Sequence, residues 1–196
     1  MFSETWKAWA AMGRWVGEWA ECPIPAIPVF TIIEPASSSE STMPHIHEKI
    51  DFTVAIFVVQ AGKLLLIHHR KLDKWLPLGG HIELDEDPEA AALREAKEES
   101  GLEVELIGER PPTTFPGTRA LITPRFLDIH RISETHEHIG MLYWARVQSG
   151  DVTVAVKEHY DIRWCTPMDL EKLVPPMGPS VKWYCLKAIE EIMDHE

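Results

Sequence analysis

From Gly79 to Leu102 the chain reads GGHIELDEDPEAAALREAKEESGL, and this stretch restricts folding more tightly than any other. Asp87 is a good N-cap residue, Pro88 suits the first helical position, and Gly101 is placed as the C′ stop. A helix over 88–100 is therefore expected. On it Glu95, Glu98 and Glu99 fall at i, i+3 and i+4 and share one stripe about one turn long. Ala92, Leu93 and Ala96 lie on the other side, where they can pack on a sheet. Like charges at these spacings destabilise a helix. Crowded carboxylates in a partly buried place must be paired, protonated or bound to cations. A solvated acidic face, partly neutralised by Arg94 and Lys97, is the plain reading of such a charge run. The chemically specific reading is a site for Mg²⁺ or Mn²⁺, because hard cations take oxygen donors and phosphate oxygens often complete the Mg²⁺ shell.

Spacing separates the two. Gly80, Glu86, Arg94, Glu95, Ala96, Glu98, Glu99, Gly101 and Leu102 fit the pattern G-x5-E-x7-R-E-U-x-E-E-x-G-U, where U is aliphatic. Ala96, at the first U, is its mildest departure. Seven fixed identities at background usage coincide on the order of once in 10⁸ start positions, so the solvated-face reading gives way. The pattern resembles the signature of the Nudix hydrolase family (MutT-like). A hairpin ending in HHR, the segment KWLPLGGH and an RW-x4-L stretch extend the resemblance from about His45 to the C-terminus.

The resemblance implies an α+β fold, an α/β/α sandwich in which a mixed sheet lies between helices. The local patterns agree with it: a β-branched strand at 51–59 and a second strand at 63–69 form a hairpin through QAG, and further strands are expected at 104–109, 126–133, 139–147 and 161–165. TPMDLEKLV and the segment from Ser180 read as helices.

It also implies an activity: a metal-dependent pyrophosphohydrolase in which water attacks a phosphorus of a nucleoside diphosphate linked to another moiety. Glu98 and Glu99 would be direct ligands of Mg²⁺ or Mn²⁺, Glu95 a ligand or a partner of metal-bound water, and the Gly80 carbonyl a further ligand. One carboxylate, with Glu98 and Glu95 placed first, would orient or deprotonate the attacking water. Arg94 points differently from the three glutamates and would pair with Glu86, clamping the loop onto the helix, while Gly79 and Gly80 would let the backbone turn tightly and approach a metal. Glu158 is the best-placed distal ligand. His69 and Arg70 could meet the substrate phosphates, and Trp75, with Phe115, could stack on a base or pack beneath the loop. His136 and His138, two apart in ETHEH, would face one side of a strand; a metal pair is permitted there, although solvated turn histidines are commoner.

Two further readings stay open on the same fold: a nucleotide-binding sensor without turnover, and isoprenoid-diphosphate isomerase chemistry. The second usually needs an active-site cysteine, and Cys22, Cys165 and Cys185 lie far from the glutamates in sequence. Those three widely spaced cysteines suggest reduced thiols, hence a cytoplasmic protein. The net charge of −12 argues against a nucleic-acid polymer as partner. No run of about 18 apolar residues predicts a transmembrane segment.

Residues 1–42 fall outside the resemblance, which leaves 43–196 as the expected catalytic domain. The extension is Trp-rich, then Pro- and Ser-rich. It admits an amphipathic helix for a membrane or partner surface, a helix closing a homodimer, disorder, or a true start at Met43.

Overall fold

The computed structural model describes residues 47–112 and 115–194. The expectations for the Trp-rich extension and the Met43 start lie outside them.

The central strand β1 (Ile50–Gln60) has Val54, Ile56 and Val58 buried on one face and Phe57 and Val59 on the other. Burial on both faces is why it reads as a near-continuous apolar run. Ala61 and Gly62, both at positive φ, turn the chain into β2 (Lys63–His69), the backbone twist that a two-residue hairpin turn requires. Then come β3 (Lys74–Leu76), β4 (Leu78–His81), α1 (Pro88–Ser100), β5 (Glu103–Ile107), β6 (Phe126–Arg131), β7 (Glu137–Ser149), β8 (His159–Cys165), α2 (Pro167–Leu170) and α3 (Pro179–Met193).

The sheet is mixed. β1 runs parallel to β7 along almost its whole length, from Ile50 opposite Glu137 to Val59 opposite Arg146. The other edge of β1 is shared by β4 and β2, both antiparallel; β2 also pairs with β3 and β8, and β7 with β5 and β6. On one face Ala91, Ala92 and Ala96 of α1 pack against Val54, Ile56, Leu78 and Tyr143. Alanines bring this helix close to the strands. On the other face Cys185, Ala188, Ile189 and Ile192 of α3 cover Phe57, Leu64 and Trp144; burial of each isoleucine contributes about 2–3 kcal/mol. The architecture is the expected α/β/α sandwich.

Local expectations shift in four places. Leu93 is exposed and Ala91 takes its place at the sheet. Gly79 and Gly80 sit within β4, not in a turn. β8 begins at His159, two residues early. α2 has four residues, held by a capping box between Thr166 and Asp169, and ends at Leu170, short of the expected element.

Candidate active site

Helix α1 is closed at both ends by its own sequence. The Asp87 carboxylate accepts from the amides of Glu89 (3.0 Å) and Ala90 (3.2 Å). Gly101, at φ 75°, lets its amide donate to the Lys97 carbonyl at 2.8 Å. Between the caps Glu95, Glu98 and Glu99 share the stripe that their spacing predicts, in three different environments. Glu98 stands at the rim with its side chain 61 % exposed. Glu95 is largely buried, and desolvation pushes its carboxyl up to about 7 against the opposing pull of Arg94. Glu99 is the deepest, raised above the ordinary carboxylate range by burial. It accepts from the Gly79 amide at 2.7 Å, and His159 Nε2 lies 3.0 Å from its Oε1.

The two glycines answer to close approach, here to Val54 and Glu95 within β4, and not to a tight turn. A Cβ on Gly80 would lie 2.2 Å from Glu95 Oε1. A Cβ on Gly79, whose φ is 149°, would lie 2.1 Å from the Val54 carbonyl oxygen. Side chains here would push the strand off β1 or the glutamate off its perch.

Arg94 grips Glu86 with two parallel bonds, Nε to Oε1 at 2.6 Å and Nη2 to Oε2 at 2.8 Å, the fork geometry that makes such pairs strong. Nη2 also donates to the His81 carbonyl at 3.1 Å. The expected pairing with Glu86 is there, and the guanidinium also reaches the glutamates: Nη1 donates to Glu95 at 2.8 Å and to Glu98 at 3.2 Å. A long side chain reaches across the helix surface further than its Cβ direction suggests.

These groups open onto a cavity of about 880 Å³, lined also by Gly80, Glu158, His69, Arg70, Lys71 and Lys157. Glu158 thus joins the box glutamates from the loop before β8. Arg70 is fixed by bonds to the carbonyls of Val156 (3.0 Å) and His159 (3.3 Å), with its guanidinium 4.2 Å from the Tyr160 ring centroid. His69 lies beside it, held below its ordinary pKa first by burial and then by the His159 imidazole. Acidic and basic side chains line the cavity together.

Trp75 is elsewhere. It is 3 % exposed, its ring stacks on His68 at 5.0 Å, and Nε1–H donates to the Val174 carbonyl at 3.0 Å. The suggestion that it stacks on a base is corrected, because the ring is packed in the α3-side core. Phe115 is exposed and outside the cavity lining. His136 and His138 are not solvated: His136 is buried, and His138 is partly buried and drawn down to about 4 by burial and by neighbouring imidazoles.

One residue escaped the sequence reading. His159 is 1 % exposed and offers a nitrogen to the Glu99 carboxylate; Glu99, Glu158 and His159 have ligand atoms within 4.8 Å of one another. Its signal was the pair Glu158-His159 just ahead of the strand, but nothing in sequence marks that histidine as buried. The donor set is mostly carboxylate oxygen, with Glu95 desolvated and short of full neutralisation, so these residues fit a hard divalent cation.

Comparison with known proteins agrees. Residues 49–184 match the NUDIX domain family. A 67-residue segment is 37% identical to a MutT-like protein of Streptomyces ambofaciens, covering 34% of this chain and 42% of that relative's length. A crystal structure of a NUDIX-family hydrolase from Clostridium perfringens is 33% identical, covers 72% of this chain and 97% of its own, and superposes with a TM-score of 0.64. An Ap4A hydrolase from C. elegans, in a binary complex, shares the fold at 18% identity and a TM-score of 0.53, with coverage of 76% and 99%. The glutamate helix, the cradle of glycines and the sandwich around them therefore have one origin: this chain belongs to the Nudix hydrolase family, enzymes that act on phosphorus-containing anhydrides.

Proposed function

We propose that this protein is a metal-dependent pyrophosphohydrolase that cleaves a nucleoside diphosphate linked to another moiety, by attack of water on phosphorus. The observation that carries the reading is that acids and bases line one cavity together: Glu95, Glu98, Glu99 and Glu158 with Arg70, Lys71 and Lys157. Mg²⁺ or Mn²⁺, when bound, supplies Lewis-acid polarisation of phosphoryl oxygens and a lowered pKa for the attacking water. Glu98, Glu99 and Glu95 would hold that ion, with the Gly80 carbonyl and Glu158 as further donors. Arg70 and His69 meet the phosphates, a local basic rim being needed where the whole protein carries −12. Glu98, exposed at the mouth, and Glu95, whose carboxyl sits near 7, are the candidates to orient or deprotonate the water; a base poised near the working pH suits that task. Glu86, Arg94 and Gly101 hold the loop and helix in register.

The catalytic unit in this reading is residues 43–196, a cytoplasmic enzyme of small nucleotide-type substrates. The test is a panel of nucleotide sugars, ADP-ribose, dinucleoside polyphosphates and nucleoside triphosphates, with Mg²⁺ or Mn²⁺ and with chelator. Chelator-sensitive release of a nucleoside monophosphate or of pyrophosphate, cut at least 100-fold by Glu98→Gln, is expected. Tight binding with no product from any class would turn the reading to a sensor module.

A further inference from the structure

On the α3-side face of the sheet, apart from the glutamates, lies a second group of polar side chains. Asp51 of β1 is 1 % exposed. Its Oδ2 is 3.2 Å from His136 Nε2 and 3.5 Å from His81 Nε2. Asp51, His81 and His138 have ligand atoms within 4.8 Å of one another. The topology assembles them: Asp51 stands opposite His138 in the parallel β1–β7 pairing, and His81 opposite Thr53, two residues along the same face of β1. The His138 ring is 4.8 Å from that of His81 and 5.2 Å from that of His136, centroid to centroid.

Hydrogen bonding around the group fixes what the ring nitrogens can be. His136 Nδ1 lies 3.3 Å from the Glu48 carbonyl oxygen. A carbonyl only accepts, so Nδ1 is the donor there, and Nε2, turned toward the Asp51 carboxylate 3.2 Å away, is the nitrogen left to face a cation. The carboxylate is itself oriented, its Oδ1 accepting from the His47 amide at 2.8 Å. An outer bond from ligand to backbone is the usual way a metal-binding histidine is held in its tautomer. The Nε2 of His138 is buried and makes no hydrogen bond.

We propose that Asp51, His81, His138 and His136 form a structural site for a zinc-class divalent cation. Three imidazole nitrogens and one carboxylate oxygen are the donors such ions select over Mg²⁺. At metal–ligand distances of about 2.0–2.1 Å the edge of a tetrahedron is about 3.3–3.4 Å, close to both contacts that Oδ2 already makes. Four protein donors close the shell, so the site binds without an open coordination position for substrate. The ion pins β1, β4 and β7 together where β4 leaves the sheet for the loop gripped by Arg94.

The experiment uses the full chain, stripped with a strong chelator, then loaded with Zn²⁺ or with Co²⁺ as a spectroscopic probe, and passed through a column equilibrated with Mg²⁺. One equivalent of Zn²⁺ is expected to stay bound, Co²⁺ to give visible bands of tetrahedral intensity, and Zn²⁺ to raise Tm. His138→Gln and Asp51→Asn should weaken retention at least tenfold, whereas Glu98→Gln should leave it unchanged. Should those variants fold poorly, ring-nitrogen NMR of the unaltered protein decides: Zn²⁺ must shift the Nε2 resonances of His81, His136 and His138. Retention lost in Glu98→Gln, equal in His138→Gln, or absent in the unaltered protein would overturn the proposal.

Discussion

The Nε2 of His159 lies 3.0 Å from Oε1 of Glu99, so the start of β8 reaches the helix that carries the glutamates. That contact and the Gly79 amide together orient the deepest carboxylate of the site. Removing an outer partner of this kind typically costs about 10–100-fold in metal affinity or activity. His159→Ala is expected to raise the Mg²⁺ concentration at half-maximal rate by about that factor, and His159→Gln, which keeps a donor, by less. Initial rates across a Mg²⁺ titration measure it; identical titration curves for both variants and the parent would remove His159 from the site.

Gly80→Ala places a methyl where Glu95 Oε1 now sits, at 2.2 Å. Glu95 must swing away. Because the neighbour is the end of a side chain, the fold should survive with a small change in Tm while kcat falls on the order of 100-fold, as 1 Å misplacements at reacting centres do. A large loss of stability with kcat retained would contradict this.

Glu95 gives a pH dependence whose sign is fixed. Its folded value of about 7 lies above the ordinary 4.5, so between the two the native state keeps a proton that the unfolded chain has lost. Stability from this group therefore falls as pH rises through that window and is level above it. In chelator, Glu95→Gln should become more stable relative to the parent by on the order of 2 kcal/mol between about pH 4.5 and pH 8. Added Mg²⁺ should close the gap by stabilising the parent alone. Thermal melts at a series of pH values test this, and a gap independent of pH would show that Glu95 is not desolvated.

Arg94→Ala removes the fork on Glu86 and the bond to the His81 carbonyl. Loss of charge-assisted bonds in a partly buried place costs about 2 kcal/mol, and Tm should drop by about 4–8 °C in a chain this long. Arg94→Lys should recover less than half, since an ammonium cannot fork. Full recovery by lysine would mean that charge alone matters.

Trp75→Phe is expected to lower Tm by a few degrees, through the lost bond to the Val174 carbonyl, while leaving KM for every nucleotide within about twofold. A KM that rises selectively for purine substrates would return the indole to the binding site.

The sandwich and the glutamate stripe were legible because both rest on local rules: caps at Asp87 and Gly101, and spacing that puts Glu95, Glu98 and Glu99 on one face. The exact places of Gly79 and Gly80 were legible, but not their reason, which lies in Val54 and Glu95 arriving from elsewhere. His159, the burial of Trp75 and the meeting of Asp51 with His81 and His138 were hidden, because each depends on which strands become neighbours. Glu89 shows the same limit. It reads as one more acid of the charged helix, yet it is buried and binds Arg110 at 2.7 Å and the Ile122 amide, joining these two residues to α1.

The reach of Arg94 to Glu95 and Glu98 bears on the life of the protein before any metal arrives. A guanidinium already stationed among these acids acts as an internal counter-ion, so the helix need not wait for a scarce ion in order to form. On the proposed reading, a divalent cation would compete with Arg94 for the glutamates while the grip on Glu86 stays in place. Loading would then be an exchange of partners on a finished scaffold, with folding independent of the supply of the ion.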